Sequence, residues 1–204
     1  MLNDPTLIEL LQKAYSGEKA AAFAYQGHAG SVKSADEKSA IRQIEIDEWN
    51  HRAEVLAMMQ QYSVPVSKWQ EAKSHVIGRV ISASCYVIGW FMPFYFAGNL
   101  ESGNVCEYVR MKRLFNALNI TEHDVVLYEM SLKEKEHEVY FYESIKNSKL
   151  LPFFERFFKW GANQKKNDIN LDKGFYLEDT NMYCEGYGEK KQVLTPANTA
   201  VPQV

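Results

Sequence analysis

Cysteine is scarce in this chain, and positive charge is not in excess. Cys85, Cys106 and Cys184 are odd in number and share no C-x-x-C spacing, which argues against a disulfide framework and against a zinc or rubredoxin-type knuckle. A reducing compartment is therefore expected. The formal net charge of −3 leaves no basic footprint, so no nucleic-acid partner is expected. The first residues, MLNDPTLIELLQKAYSGE, lack the charged-then-apolar order of a secretory signal, and a cytoplasmic location is the expectation. No segment shows the alternation of a β-strand. Long apolar runs are also rare. The exception, Val80 to Leu100, is uncharged over the length of a membrane span. Gly89 and Pro93 interrupt it and Arg79 borders it, so it reads as a buried or membrane-skimming helix.

What the chain does contain is 46% hydrophobic and 24% charged residues over 204 positions, the balance of a globular domain with a substantial core. Helix signals divide it. Asp4-Pro5 reads as an N-cap and first helical residue, and the pattern continues to Gly27 or Gly30. Ser34 with Glu37 forms a capping box, and neither Gly nor Pro follows until Pro65. Ser67 with Gln70 opens a shorter helix to about Gly89, which carries the chain from one end of a bundle to the other. A third long helix covers about Met92 to Leu118, and Thr121 with Asp124 opens a fourth that ends before Pro152. PFFERFFKWGANQKK makes a short aromatic helix. The expected fold is all-α, a ferritin-like four-helix bundle over residues 1–163 with a long crossover helix and a short C-terminal helix, followed by an irregular tail over 164–204.

Two E-x-x-H pairs carry the chemistry, Glu48 with His51 and Glu134 with His137. A spacing of three places acid and imidazole on one side of a helix. Around the first pair Ile41, Ile44, Val55 and Met58 continue the same face, so two ionisable groups sit inside an apolar stripe. The other two long helices add a lone acid each, and each acid is followed two turns later by a tyrosine: Glu18 by Tyr25, and Glu101 by Tyr108. The acids precede their E-x-x-H pairs at similar distances. Such self-similarity describes a duplicated helical hairpin, each copy supplying two carboxylates and one imidazole. Four Glu and two His form a di-iron inventory. Four carboxylates neutralise two divalent ions inside an apolar bundle, and imidazole adds a borderline ligand without further charge. Glu48 and Glu134 are assigned as bridges, with Glu18 and Glu101 terminal. Glu107 is a rival for Glu101 but breaks the symmetry with Tyr25. Tyr25 and Tyr108 are candidate catalytic residues, positioning a hydrogen bond or relaying an electron. Manganese is the alternative metal.

At these residues the chain resembles the demethoxyubiquinone hydroxylases, ferritin-like di-iron monooxygenases of quinone biosynthesis. GEKAAAFAYQGH is similar to their first-helix pattern of Glu, Tyr, Gly and a polar residue, and EWNH and EKEH match their two E-x-x-H pairs. The register of Gly89, Glu101 and Tyr108 agrees as well. The likeness spans about residues 10 to 145. It implies metal-ligand roles for Glu18, Glu48, His51, Glu101, Glu134 and His137, and a quinone-like substrate. Two features depart from the pattern: Glu107 stands where the family usually has His, and GWFMPFYF is bulkier than the family's small-residue run. The resemblance also implies peripheral membrane contact, for which HVIGRVISASCYVIGW and PFFERFFKW have suitable composition.

The leading expectation is an oxygen-activating hydroxylase whose partners are O2, a small apolar substrate beside Glu18 and Glu101, and an external electron donor, with a homodimer compatible with this reading. Rubrerythrin- or ferritin-like iron oxidation or peroxide reduction is a second class. A helical bundle without catalysis is the third.

Overall fold

The structure is a computed structural model that describes residues 2–158, Trp160 and Cys184. Six helices follow one another: α1 (Pro5–Ser31), α2 (Ala35–Gln61), α3 (Lys68–Ser84), α4 (Phe91–Ala117), α5 (Asp124–Ile145) and α6 (Leu151–Phe157). Among the described residues there is no strand. α1 pairs with α2 and α4 with α5, while contacts of α1 with α4 and of α2 with α5 join the two hairpins into a bundle. α3 crosses over along α1. The all-α bundle with its crossover helix and short final helix is the architecture anticipated from the sequence.

The helix starts follow from donors that need acceptors. The first N–H groups of a helix have no intrahelical partner, so a side-chain oxygen just ahead of them is stabilising. Asp4 Oδ1 accepts from the Leu7 amide at 2.8 Å, Ser34 Oγ from Glu37 at 3.3 Å and Ser67 Oγ from Gln70 at 3.4 Å. The fourth expected cap does not form. α5 begins at Asp124, and the preceding residues close a backbone turn in which the Asp124 amide donates to Thr121 O at 3.1 Å. Asn119, with φ of 60°, bends the chain ahead of that turn, which leaves the Thr121 side chain outside the cap position.

The crossover helix is also shorter than expected. It stops at Ser84, and Gly89 adopts a φ of +83°, a left-handed conformation that glycine accepts without strain. The uncharged run from Val80 to Leu100 is thereby split between α3, a turn and α4, and no helix among the described residues is long and apolar enough to cross a membrane. The only buried residue of α3 is Gly78, where a Cβ would lie 2.7 Å from Ala20 O and 2.8 Å from Ala20 Cα, so α3 and α1 touch backbone to backbone. Arg52 of α2 fastens the other end with two parallel bonds to Glu71, 2.9 and 2.8 Å, while its guanidinium lies 3.6 Å from the Tyr15 ring centre. Val76, Ile77, Val80 and Ile81 of α3 remain exposed.

Two apolar clusters fill the bundle. Leu7, Leu11, Val55, Met59, Met111, Phe115 and Leu127 pack at one end, and Ile41, Ile44, Phe94, Tyr95, Phe141 and Ile145 at the other. Each such side chain contributes about 1.5–3 kcal/mol by leaving water. On every long helix the two clusters are separated by a short interval, and the acids occupy it.

The reading against disulfides is corrected. Cys106 of α4 is bonded to Cys184 across 78 residues, and only Cys85 is free. A link this long leaves no local spacing to read. The proposed boundary at 163/164 and the irregular tail lie outside the described residues, Cys184 excepted.

Candidate metal centre

Helix register brings the acids to one level. Glu18 is the central residue of α1 and Glu48 of α2, Glu134 lies at the middle of α5, and Glu101 is within a turn of the middle of α4. Helices packed side by side with their centres aligned must bring these side chains together. Glu18, Glu48, His51 and Glu134 each present a ligand atom within 4.8 Å of the others, and Glu48, Glu101, Glu134 and His137 do the same. The two groups share Glu48 and Glu134. Together they contain the six side chains selected from the sequence.

All six are buried; Glu48, Glu101 and Glu134 are 0% exposed. Ionised carboxylates are not stable in such a place unless positive charge lies among them. The protein supplies part of it. His51 Nδ1 lies 2.8 Å from Glu134 Oε1, and His137 Nδ1 lies 3.4 Å from Glu48 Oε1 and 3.7 Å from Glu134 Oε2. Burial, reinforced by the Glu48 charge, pushes the Glu18 carboxyl well above the usual carboxylate range, and burial with Glu134 does the same to Glu101. Burial also opposes the charge on Glu134, but the His51 imidazole and surrounding hydrogen bonds outweigh it and hold that carboxyl well below its ordinary range. In return, against the same desolvation, Glu134 raises His51, while Asp47 and Glu134 raise His137.

The tyrosines cross between the two halves. Tyr25 of α1 donates its hydroxyl to Glu101 of α4, and Tyr108 of α4 donates to Glu18 of α1. Both hydroxyls are buried, and each bond fixes the acid of the opposite hairpin. Two further residues act on the site without having been singled out in the sequence. Asp47 Oδ2 lies 3.1 Å from His137 Nε2, leaving Nδ1 to face the carboxylates, and Asn104 Nδ2 donates to Glu101 Oε2 at 2.9 Å. Their signals were faint: Asp47 is the neighbour of Glu48, and Asn104 follows Glu101 by one turn.

The residues fit a pair of divalent cations. Glu18 Oε2, both oxygens of Glu48 and of Glu134, and Nδ1 of His51 and His137 are all buried, and beyond the close acid–imidazole approaches among themselves none has a hydrogen bond of good geometry. Unpaired polar atoms converging in an apolar interior call for an ion. Carboxylate oxygen with imidazole nitrogen is a donor set that suits iron or manganese. Glu107 joins neither group. It is half-buried and borders a cavity of about 220 Å³ with Lys13, Gly17, Glu18, Asn104 and Tyr108. A second cavity, of about 280 Å³, lies between α1, the end of α3 and α4, and reaches Tyr25.

No protein-family model, no curated protein and no solved structure matches the chain.

Proposed function

We propose that the chain is a di-iron oxygenase that hydroxylates an apolar, quinone-like substrate. The observation that carries this reading is the pair of buried ligand groups sharing Glu48 and Glu134, most of whose acid and imidazole atoms lack a well-formed hydrogen bond. Glu48 and Glu134 belong to both ligand groups and would help to hold either ion, with Glu18 and His51 in one group and Glu101 and His137 in the other. Iron, when bound, supplies the electrons and open coordination positions needed to activate O2. Manganese fits the same donors.

The chain's own residues do the rest. Tyr25 and Tyr108 hold the terminal carboxylates by hydrogen bonds; Glu18 keeps its second oxygen available, while Asn104 holds the second oxygen of Glu101. Asp47 accepts from His137 Nε2 and sets the tautomer and plane of that ring. The apolar clusters above and below exclude water, which strengthens every electrostatic contact between them. The cavity beside Tyr25 receives the substrate. With no C-x-x-C pair in the chain, electrons are drawn from a separate donor protein or a reduced cofactor. The apolar residues that α3 and α6 leave exposed, among them Val80 and Phe157, support collection of substrate at a membrane surface.

Metal analysis of protein grown with iron, together with the optical spectrum of the oxidised form, tests the reading. About two irons per chain are expected, and both should be lost in Glu48→Ala and in Glu134→Ala because each residue serves both ions. Retention of both irons in those variants would refute the ligand assignment. The cavity next to Glu18, bordered by Lys13, Asn104 and Glu107, favours a second reading, iron oxidation or peroxide reduction without an organic substrate. Peroxide turnover by the loaded protein, with no product from any apolar compound, would select it.

A further inference from the structure

The cavity of about 280 Å³ is walled mainly by apolar side chains, including Ala24, Ile88, Met92 and Ala97, and its rim carries the exposed residues Ile81, Phe96 and Leu100. Four side chains on its wall bear a polar atom: Tyr25, His28, Ser84 and Cys85. Three are accounted for. Tyr25 donates to Glu101, Ser84 Oγ donates to Ile81 O at 2.7 Å, and burial pushes the Cys85 thiol up to about 11, which keeps it a neutral, weak hydrogen-bonding group.

His28 is different. It is 2% exposed, and its Nε2 has no hydrogen-bond partner in the protein. The ring is clamped, edge-on to Phe94 at 4.6 Å and stacked on Phe141 at 5.8 Å, so it cannot swing to solvent to satisfy that nitrogen. Leaving a buried donor or acceptor unpaired is destabilising, and the fold retains it one turn beyond Tyr25 on the same helix. Burial also lowers its pKa to about 4, so at neutral pH the imidazole is uncharged and has one N–H and one lone pair.

We propose that His28 is the polar anchor of this cavity, hydrogen-bonding one hydroxyl or carbonyl of an otherwise apolar, ring-sized ligand and so fixing which end of that ligand faces Tyr25. The inference rests on the oxygenase reading for its meaning, since the anchored end determines the position presented to the metal centre. Its binding claim stands without turnover. A site built around one hydrogen bond discriminates strongly against an analogue that cannot make it, because the buried polar group is then left unpaired.

The test uses two bicyclic probes, naphthalene and 2-naphthol, titrated calorimetrically into the full chain. Water favours the hydroxylated probe, so apolar burial alone would make naphthalene the tighter ligand. The expected result is the reverse, 2-naphthol tighter by about tenfold, the worth of one good hydrogen bond. His28→Phe should remove that preference while retaining naphthalene, and His28→Gln should restore most of it. Equal affinities in the unaltered protein, or a preference that survives in His28→Phe, would overturn the anchor. Should the phenylalanine variant not fold, the ¹⁵N resonance of His28 Nε2 in the unaltered protein decides: it shifts with 2-naphthol and not with naphthalene, and no shift overturns the proposal. Iron content measured on the same preparations separates the two ideas. Two irons with no probe preference defeat the anchor alone, and probe preference without iron defeats the oxygenase reading alone.

Discussion

Metal should stabilise this fold, by an amount that follows from the burial of its ligands. Four carboxylates and two imidazoles sit at the waist of the bundle, and seven of their atoms lack a well-formed hydrogen bond. The unfolded chain cannot hold them together, so a cation that binds the cluster binds the native state alone. At free metal one hundred times its dissociation constant, linkage gives about 2.7 kcal/mol of stability for each ion bound, taken here for one. For a domain of this size each kcal/mol raises the melting temperature by about 2–4 °C, so a rise of about 5–11 °C is expected.

Differential scanning calorimetry with Mn(II), or with Fe(II) under anaerobic conditions, measures it. Glu48→Gln is the decisive variant. It preserves shape and removes one of the buried charges that push the Glu18 carboxyl up, so the metal-free protein should melt at or above the temperature of the parent, while the metal-dependent rise disappears. Glu107→Gln is the control, because Glu107 stands outside both ligand groups, and it should keep the full rise. A melting temperature indifferent to metal in the parent, or an equal rise in Glu48→Gln, would refute the reasoning.

Three further outcomes follow from particular contacts. Lys135 and Glu138, both 0% exposed and 2.7 Å apart, form a buried pair whose acid also accepts from Trp160 Nε1 at 3.0 Å; Lys135→Met should cost about 3–5 kcal/mol in urea denaturation by stranding the carboxylate, and Lys135→Met with Glu138→Leu should recover most of it. Gly78→Ala gains about 1 kcal/mol of helix propensity, but its Cβ would meet the Ala20 backbone at 2.7–2.8 Å, so the clash wins by about 1–2 kcal/mol, read as faster amide exchange confined to α3 and its contact with α1. For His28 the folded pKa falls from 6.5 to about 4, so its contribution is fully present above pH 6.5 and is lost as pH drops toward 4, about 3 kcal/mol in all. Plotted against pH, the stability of His28→Gln should lack that component, and parallel curves for parent and variant between pH 6.5 and 4.5 would contradict it.

Much of the architecture was legible because helices advertise themselves locally. Asp4 and Ser34 cap α1 and α2 as their spacing implied, and the absence of Gly and Pro between Ser34 and Pro65 carried α2 to Gln61. The convergence of the six metal-binding candidates was legible for a related reason: on a helix, spacing determines direction, so Glu48 and His51 had to point the same way. The start of α5 was misread because Thr121 and Asp124 have the spacing of a cap, whereas the backbone there closes a turn of its own. Contacts between distant segments left no such trace. Nothing in the sequence paired Cys106 with Cys184, aimed Asp47 at His137, or left His28 Nε2 alone beside a cavity. The tyrosines show the boundary most clearly. Each stands two turns after an acid on its own helix, yet each bonds to the acid of the other hairpin.

That exchange of hydroxyls bears on how the site is divided. α2 and α5 contribute the carboxylates common to both ligand groups and all the imidazoles, with Asp47 behind His137. This side of the bundle holds charge in place. α1 and α4 contribute one acid each, and the acid of each helix is secured by a tyrosine from the other. Along this seam α1 presents small residues, Ala14 and Gly17 toward one cavity and Ala24 toward the other, while Ala21 and Leu100 border both. Small side chains keep the two helices from filling the space between them, and the tyrosine bonds keep them from separating. The side that gathers charge and the side that borders the cavities are thus different faces of one bundle, and each hairpin contributes one helix to each.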